Sequence, residues 1–440
     1  MIRWTTIILL IIVSCSSHTV IKEEKKSLKQ PNIVFIMVDD MGWKDASCYG
    51  RKMWQTPRID EFAKQGCRFT NAYAHQLCSP TRSSFMTGKH PARLAITDWI
   101  PGFENRPESP LLPVTQNMAV PLEETTIAEA LKEKGYVTGI IGKWHIGNTP
   151  DQQGFQEVME TTEQKGRTRF DKNGRFMADR KGDAAIKFLE THKKDTFFLY
   201  FSFDSVHLRL AASKEKIAKH PNTINPTYAG MMEHVDDNVG RVLDKIHELG
   251  LDDNTIVMFY SDNGGVTRCN FKPLIYTSNF PLRANKGSLY EGGLRVPLII
   301  RWPGVTKAGS TTDEMILTAD FYPTILDMVG IEAKPQQHVD GINFSQVLRG
   351  EKSNRNELYW HYPHYSRHIM GYPSGAVRIG EWKLIEWFED GKLELYNLKE
   401  DIGEQNNQAD HFPKKVDELF TKLRSWRQQV SARMPERKVK

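Results

Sequence analysis

Residues 32–42 read NIVFIMVDDMG: an unbroken apolar run from Ile33 to Val38, then two carboxylates, then a glycine. Strict alternation would mark a strand with one wet face. A continuous run of this length marks a strand covered on both faces. Similar runs recur at Tyr136–Ile141, Thr196–Ser202, Thr255–Ser261 and Val296–Arg301, with helical patterns between them at 56–65, 125–134, 178–191, 227–249 and 318–329. Strands alternating with helices predict an α/β fold: a mostly parallel sheet flanked by helices on both faces.

In such sheets ligands collect beyond the carboxyl ends of the strands. Here those ends are polar again and again. Asp39-Asp40 follow the first strand, Gly-Lys143-Trp-His145 the second, Asp204 and His207 the third, and Asp262-Asn263-Gly-Gly the fourth. A solvated strand end or a plain turn explains any one of these, but the recurrence describes a site. Asp39, Asp40, Asp262 and Asn263 offer only oxygen ligands, three of them anionic, which suits Ca²⁺ or Mg²⁺ better than zinc or copper. Lys143, His145, His207 and Lys286 add positive charge and proton-transfer capacity, Lys286 from the glycine-rich stretch LRANKGSLYEGGLRVP at 282–297.

From about residue 351 the texture changes. LYWHYPHY (358–365) is crowded with aromatics, short strand-like pieces follow at 376–379, 382–386 and 393–397, and an amphipathic helix is expected at 413–430. This predicts a smaller C-terminal subdomain (351–440), an antiparallel sheet plus one helix, packed on a catalytic domain at 31–350. The full chain has 440 residues, 39% hydrophobic and 26% charged, the ordinary balance of a soluble protein. Its charge excess of 59 − 54 = +5 is spread along the chain, with no basic stripe for nucleic acid. MIRWTTIILLIIVSCSS at the N-terminus has an apolar run too short to span a bilayer, so residues 1–14 read as a signal peptide. Ile-Val-Ser-Cys15 resembles the bacterial lipobox, which implies cleavage before Cys15, lipidation of its thiol, and membrane attachment by the lipid alone. Residues 15–30 then form a polar tether. The expected location is the periplasm, the outer membrane or the cell surface. Ordinary secretory cleavage a few residues later is the alternative. Cys48, Cys67, Cys78 and Cys269 remain, with no zinc-like spacing and no pairing that sequence can give.

Cys78 has the most telling neighbours: LCSPTRSSFMTGKHP at 77–91. C-S-P-T-R followed by T-G-K closely resembles the type I sulfatase signature, and VDDMGWKD, GKWHIG, SDNGG and KGSLYEGGLRVP resemble further blocks of that family in their usual order. The resemblance implies an alkaline-phosphatase-like fold and a cysteine, here Cys78, converted by a formylglycine-generating or sulfatase-maturating enzyme to Cα-formylglycine. It implies one Ca²⁺ on Asp39, Asp40, Asp262 and Asn263 together with the residue-78 oxygen. Arg82, one helical turn beyond Cys78, would stabilise the anionic hydrated aldehyde. Lys143 and Lys286 would hold sulfate oxygens, His145 would take the proton that lets sulfate leave, and His207 would serve as general acid near the leaving oxygen, alone or with Lys286.

The chemistry has reason to use such a group. A sulfate monoester is a weak electrophile with a poor alkoxide leaving group, so the site must favour the anionic nucleophile and compensate charge on the sulfate oxygens. A serine or cysteine would be stranded as a sulfo-enzyme, whereas a geminal diol escapes by carbon–oxygen cleavage. The expected substrates are sulfated oligosaccharides or polysaccharides. Asp98, in Thr97-Asp98-Trp99, and His361, in LYWHYPHY, are candidate sugar contacts, although the aromatic stretch serves equally as the subdomain's own core. Two other readings stand beside this one: a phosphate or phosphonate monoester hydrolase of the same superfamily, and an unmodified lipoprotein that only binds sulfated glycans.

Overall fold

The computed structural model describes residues 30–102, 108–112, 114–159, 169–267, 277 and 279–438. The expected signal peptide, Cys15, nearly all of the expected tether and Cys269 lie outside them. Fourteen strands are found among the described residues: β1 Asn32–Val38, β2 Cys67–Phe69, β3 Ala72–Tyr73, β4 Val137–Gly142, β5 Glu157–Met159, β6 Phe197–Ser202, β7 Thr255–Ser261, β8 Leu298–Arg301, β9 Ser310–Thr312, β10 Ile316–Leu317, β11 Glu357–Tyr362, β12 Ser374–Ile379, β13 Trp382–Trp387 and β14 Leu393–Asn397. Eight make the main sheet, in the order β5-β4-β6-β1-β7-β8-β2-β9, and β11 to β14 form a separate meander.

The unbroken apolar run of β1 is explained by what lies above and below it. Ile33, Phe35 and Met37 face one layer, packing with Phe85 and Met86 of the helix Cys78–Thr87, Ile127 and Leu131 of the helix Ile127–Lys132, and Phe321 and Ile325 of the helix Phe321–Met328. Val34, Ile36 and Val38 face the other layer, against Ile59 and Phe62 of Pro57–Gln65, Phe188 and Leu189 of Met177–Thr191, and Met231, Val235 and Val239 of Pro226–Glu248. Successive side chains of a strand point to opposite faces, so a strand buried between two helical layers is apolar at successive positions, here from Ile33 to Val38.

β4, β6, β1 and β7 are parallel neighbours. The expected strand at 296–301 differs: β8 runs antiparallel to β7, with Tyr260 opposite Leu298. The chain leaves β7 at the edge where the polar residues gather, and the described residues before β8 lie beside that edge, with Lys286 N donating to Gly265 O at 3.3 Å and Gly264 N to Gly293 O at 3.0 Å. It re-enters the sheet from that same edge, and so in the opposite direction.

The C-terminal meander is antiparallel throughout, and the helix Pro413–Gln429 covers one face of it. Val377, Leu384 and Leu395 meet Leu419, Leu423 and Trp426 of that helix. The other face presents Leu358, Trp360, Tyr362, Ala376 and Ile385 to Tyr73, Leu77, Leu289, Tyr290 and Leu294 of the larger domain. Leu358, Trp360 and Tyr362 of LYWHYPHY are therefore packing core by the period-two rule. Cys48, Cys67 and Cys78 are free thiols. Among the described residues no helix is long and apolar enough to cross a membrane.

Candidate active site

Gly142 and Met37 both lie opposite Ser202, and Val38 lies opposite Ser261, so the four parallel strands end at one rim. The ladder carries on past the strands: Asp39 N donates to Ser205 O at 2.9 Å, Lys143 N to Ser202 O at 2.9 Å and Asp262 N to Val38 O at 3.1 Å. Gly142, at φ 99°, lets β4 approach β6 so closely that a Cβ there would lie 1.8 Å from Ser202 O. The strand ends thus bring Asp39, Asp40, Lys143, His145, His207, Asp262 and Asn263 to one place, and the helix at 78–87 and the loop at 282–297 bring Cys78, Arg82 and Lys286.

Charges alternate within the cluster. Lys143 Nζ lies 2.7 Å from Asp39 Oδ2, and Lys286 Nζ pairs with Asp40 Oδ1. Asn263 Nδ2 donates to Asp40 Oδ1 at 2.8 Å and Asp40 N to Asp262 Oδ1 at 3.2 Å. Arg82 is wholly buried. Its Nε donates to Asp262 Oδ2 at 2.9 Å, while Nη1 donates to Ser202 Oγ at 2.6 Å and Lys143 O at 2.9 Å. Arg82 thereby fixes the Asp262 carboxylate and the backbone of the Lys143 turn together.

Three oxygens remain. Asp39 Oδ1, Asp40 Oδ2 and Asn263 Oδ1 are buried with no hydrogen-bond partner. Ligand atoms of Asp39, Cys78 and Asp262 lie within 4.8 Å of one another, as do those of Asp39, Asp40 and His207. Buried acceptors normally find a donor, so orphaned oxygens gathered in one cluster fit a hard cation. Without one, like charges compete. Burial pushes Asp262 up to about 7, with Asp39 adding repulsion against the pull of Arg82 and Lys143. Burial acts against Asp39 as well, but Lys143, His207, Lys286 and Arg82 hold it well below the carboxylate range.

Cys78 opens its helix, and His145 Nδ1 stands 3.2 Å from its Sγ. His145 Nε2 is 2.8 Å from the carbonyl of Ile100. A carbonyl only accepts, so Nε2 carries the proton and Nδ1 faces residue 78 as an acceptor. Burial, then the Lys143 ammonium, push this imidazole well below its ordinary value against the pull of the Ile100 carbonyl, which keeps it neutral. Asp40 (φ 64°) and His145 (φ 68°) both occupy the left-handed region, rarely adopted by residues other than glycine. Strain of this kind persists where surrounding contacts over-determine the backbone, as happens in functional sites.

The remaining expected residues are placed as follows. His207 lies at the mouth, its side chain 22% exposed and its Nε2 3.8 Å from Asp40 Oδ2. Asp98 is buried and its Oδ1 accepts from the Trp99 amide at 2.9 Å. Trp99 is the member of that turn whose ring comes beside His145, centroids 6.2 Å apart. His361 is corrected. It is 2% exposed, its Nε2 meets the carbonyl of Arg433 at 2.9 Å, and its ring packs on Phe388, so it belongs to the subdomain interior and not to a sugar-facing wall. Sequence reasoning passed over Arg169, which donates to the carbonyls of Asp204, His207 and Arg209 and so holds the His207 segment. It also passed over His368, discussed below. Neither sits in a block of recognisable spacing.

Comparison with known proteins agrees with this geometry. The sulfatase family model matches residues 31–331, and the C-terminal model of N-sulphoglucosamine sulphohydrolase matches 284–432. Human (Homo sapiens) arylsulfatase A is 31% identical, covering 86% of this chain and 83% of its own. A Formosa agariphila sulfatase is 29% identical over 92% of this chain and 90% of its own. Rattus norvegicus N-acetylgalactosamine-6-sulfatase is 29% identical over 81% and 71%. Among solved structures, Ps i-CgsB superposes with a TM-score of 0.78 at 29% identity, covering 90% of this chain and 93% of that one. With its alkaline-phosphatase-like sheet, its signature helix and this extent of match, the chain belongs to the type I sulfatase family of sulfuric ester hydrolases.

Proposed function

We propose that this chain hydrolyses sulfate monoesters of sulfated saccharides, with Cys78 matured to formylglycine and one Ca²⁺ in the carboxylate cluster. The observation that carries the reading is the set of three orphaned oxygens, on Asp39, Asp40 and Asn263, in the cluster that also holds Cys78 and two buried lysines. Asp39, Asp40, Asp262 and Asn263 would hold the cation, which would supply charge compensation for a bound sulfate and for the residue-78 oxygen. Formylglycine would supply the nucleophilic hydroxyl that a cysteine lacks.

The other residues then have defined work. Lys143 and Lys286 place two ammonium groups where an anion enters, in surroundings dry enough to strengthen their pull. His145, neutral with Nδ1 free to accept, holds a proton taken from residue 78. His207 stands at the opening, where a leaving alkoxide needs a proton. Similarity to N-acetylgalactosamine-6-sulfatase, and to Ps i-CgsB solved in complex with k-i-k-neocarrahexaose, supports a saccharide as that leaving group. The N-terminal pattern supports export as a lipoprotein lipidated on Cys15.

Protein from the native host is the test material. Mass spectrometry of the peptide spanning 78–82 should show loss of H₂S and gain of one oxygen. The purified enzyme should hydrolyse 4-nitrophenyl sulfate faster than 4-nitrophenyl phosphate and lose that activity in a calcium chelator. An intact thiol, or a preference for phosphate, would overturn the reading.

A further inference from the structure

The connection from β11 to β12 lies against the loop that carries Lys286. It closes as a tight turn: Ser366 N donates to Gly371 O at 2.7 Å, Gly371 N to His368 O at 3.2 Å and His368 N to Ser366 Oγ at 3.0 Å. Asn285 Nδ2 donates to Ile369 O at 3.3 Å. At Gly287, φ 84°, a Cβ would lie 2.8 Å from Ser366 Oγ, 3.0 Å from His368 Cβ and 3.1 Å from His368 Cδ2. The His368 ring therefore packs on backbone one residue beyond Lys286, whose ammonium pairs with Asp40. His364, in the same segment, is buried against Thr97, whereas His368 is half-buried with its Nδ1 covered. Burial and the Lys286 ammonium push the His368 imidazole down to about 3, with Asp40 pulling the other way. Both charges belong to the catalytic cluster.

From this juxtaposition we propose that His368 is the C-terminal subdomain's contact with the substrate, hydrogen-bonding a hydroxyl of the sugar that carries the sulfate ester. The proposal rests on the sulfatase reading above. An imidazole offers one donor and one acceptor, matching a sugar hydroxyl, which has both. A 4-nitrophenyl leaving group carries no hydroxyl, so His368 discriminates between leaving groups. The β11–β12 turn that carries it is fastened to the Lys286 loop through Asn285 and Gly287.

The test compares wild type, His368→Ala and His368→Gln as mature, calcium-loaded enzyme. The substrates are 4-nitrophenyl sulfate and whichever of N-acetylgalactosamine 6-sulfate, glucosamine 6-sulfate and neocarrahexaose the wild type desulfates fastest. For His368→Ala, the loss of kcat/KM on the saccharide should exceed the loss on the aryl sulfate by about 5- to 10-fold, the scale of one hydrogen bond. It should fall mainly on KM, and His368→Gln should restore part of it. Equal losses on both substrates, or no recovery in a His368→Gln protein that melts like wild type, would overturn the proposal alone. A wild type inert on every sulfate ester would overturn the underlying reading, and this proposal with it.

Discussion

At the scale of single residues, Arg82 shows how a buried charge organises a site. Its guanidinium spans Asp262, Ser202 and the Lys143 carbonyl with directed donors at fixed angles. A lysine keeps the charge but cannot reproduce that fork. Arg82→Lys should lower kcat/KM for 4-nitrophenyl sulfate by about 10- to 100-fold and weaken calcium binding in parallel, the usual cost of losing a group that orients a ligand. Steady-state kinetics beside a calcium titration check this, and wild-type values in both would remove Arg82 from the machinery. The residues that sequence places well are those with a chain-order signature. Asp39, Asp40, Lys143, His145, Asp262 and Asn263 each follow an apolar run, so strand polarity alone puts them together. His361 and His368 have no such signature. One lies inside and one beside the site because of pairing register and a turn, which no local pattern encodes.

At the scale of elements, the segment after β6 is held by a buried ion pair. Lys181, from the helix Met177–Thr191, is fully buried with its Nζ 2.7 Å from Asp204 Oδ1. Burial opposes charge on Asp204, but Lys181 and then Arg169 outweigh it and hold the carboxyl well below its ordinary range. A depressed carboxylate contributes stability above its unfolded value near pH 4, and that contribution is lost as pH falls. Asp204→Asn leaves Lys181 without its counter-charge and should cost about 3–5 kcal/mol at neutral pH. The gap in melting temperature between variant and wild type should narrow below about pH 4. Thermal melts from pH 3 to 7 would show it, and a gap independent of pH would mean that the pair is not the cause. Element by element, long apolar runs and amphipathic stretches were legible within a few residues: β7 and β14 fall at their expected limits. β2, β3, β5, β9 and β10 are two or three residues long, too short for any periodicity to register. The direction of β8 depends on where the preceding loop travels.

At the scale of the whole molecule, the two sheets share a charged core as well as an apolar one. Lys383 of β13 is fully buried, with its Nζ 2.9 Å from Glu291 Oε1 and 2.8 Å from Glu404 Oε1. Glu291 also binds Arg295 and Tyr73 in the larger domain, at 2.7 Å each. Burial pushes Glu404 up to about 7 against the pull of Lys383, so the second carboxylate is tolerated only while the ammonium is present. Glu291 lies five residues beyond Lys286, and the C-terminal family match begins at residue 284, taking in that loop. Lys383→Met should therefore destabilise the protein by about 3–5 kcal/mol and reduce turnover by disturbing Lys286. Calorimetry of the wild type should give one cooperative transition covering both sheets. Two separate transitions would show that the charged core does not couple them.

The helix Cys78–Thr87 has a consequence in time as well as in space. All ten of its residues are buried, and Cys78 itself is 2% exposed. An enzyme that oxidises a cysteine must reach its thiol, and here the segment around that thiol is buried throughout. The oxidation proposed for Cys78 therefore has to precede folding. A polypeptide that reaches its final shape with the thiol intact has missed its only opportunity, so the order of events during synthesis decides whether the molecule is ever an enzyme.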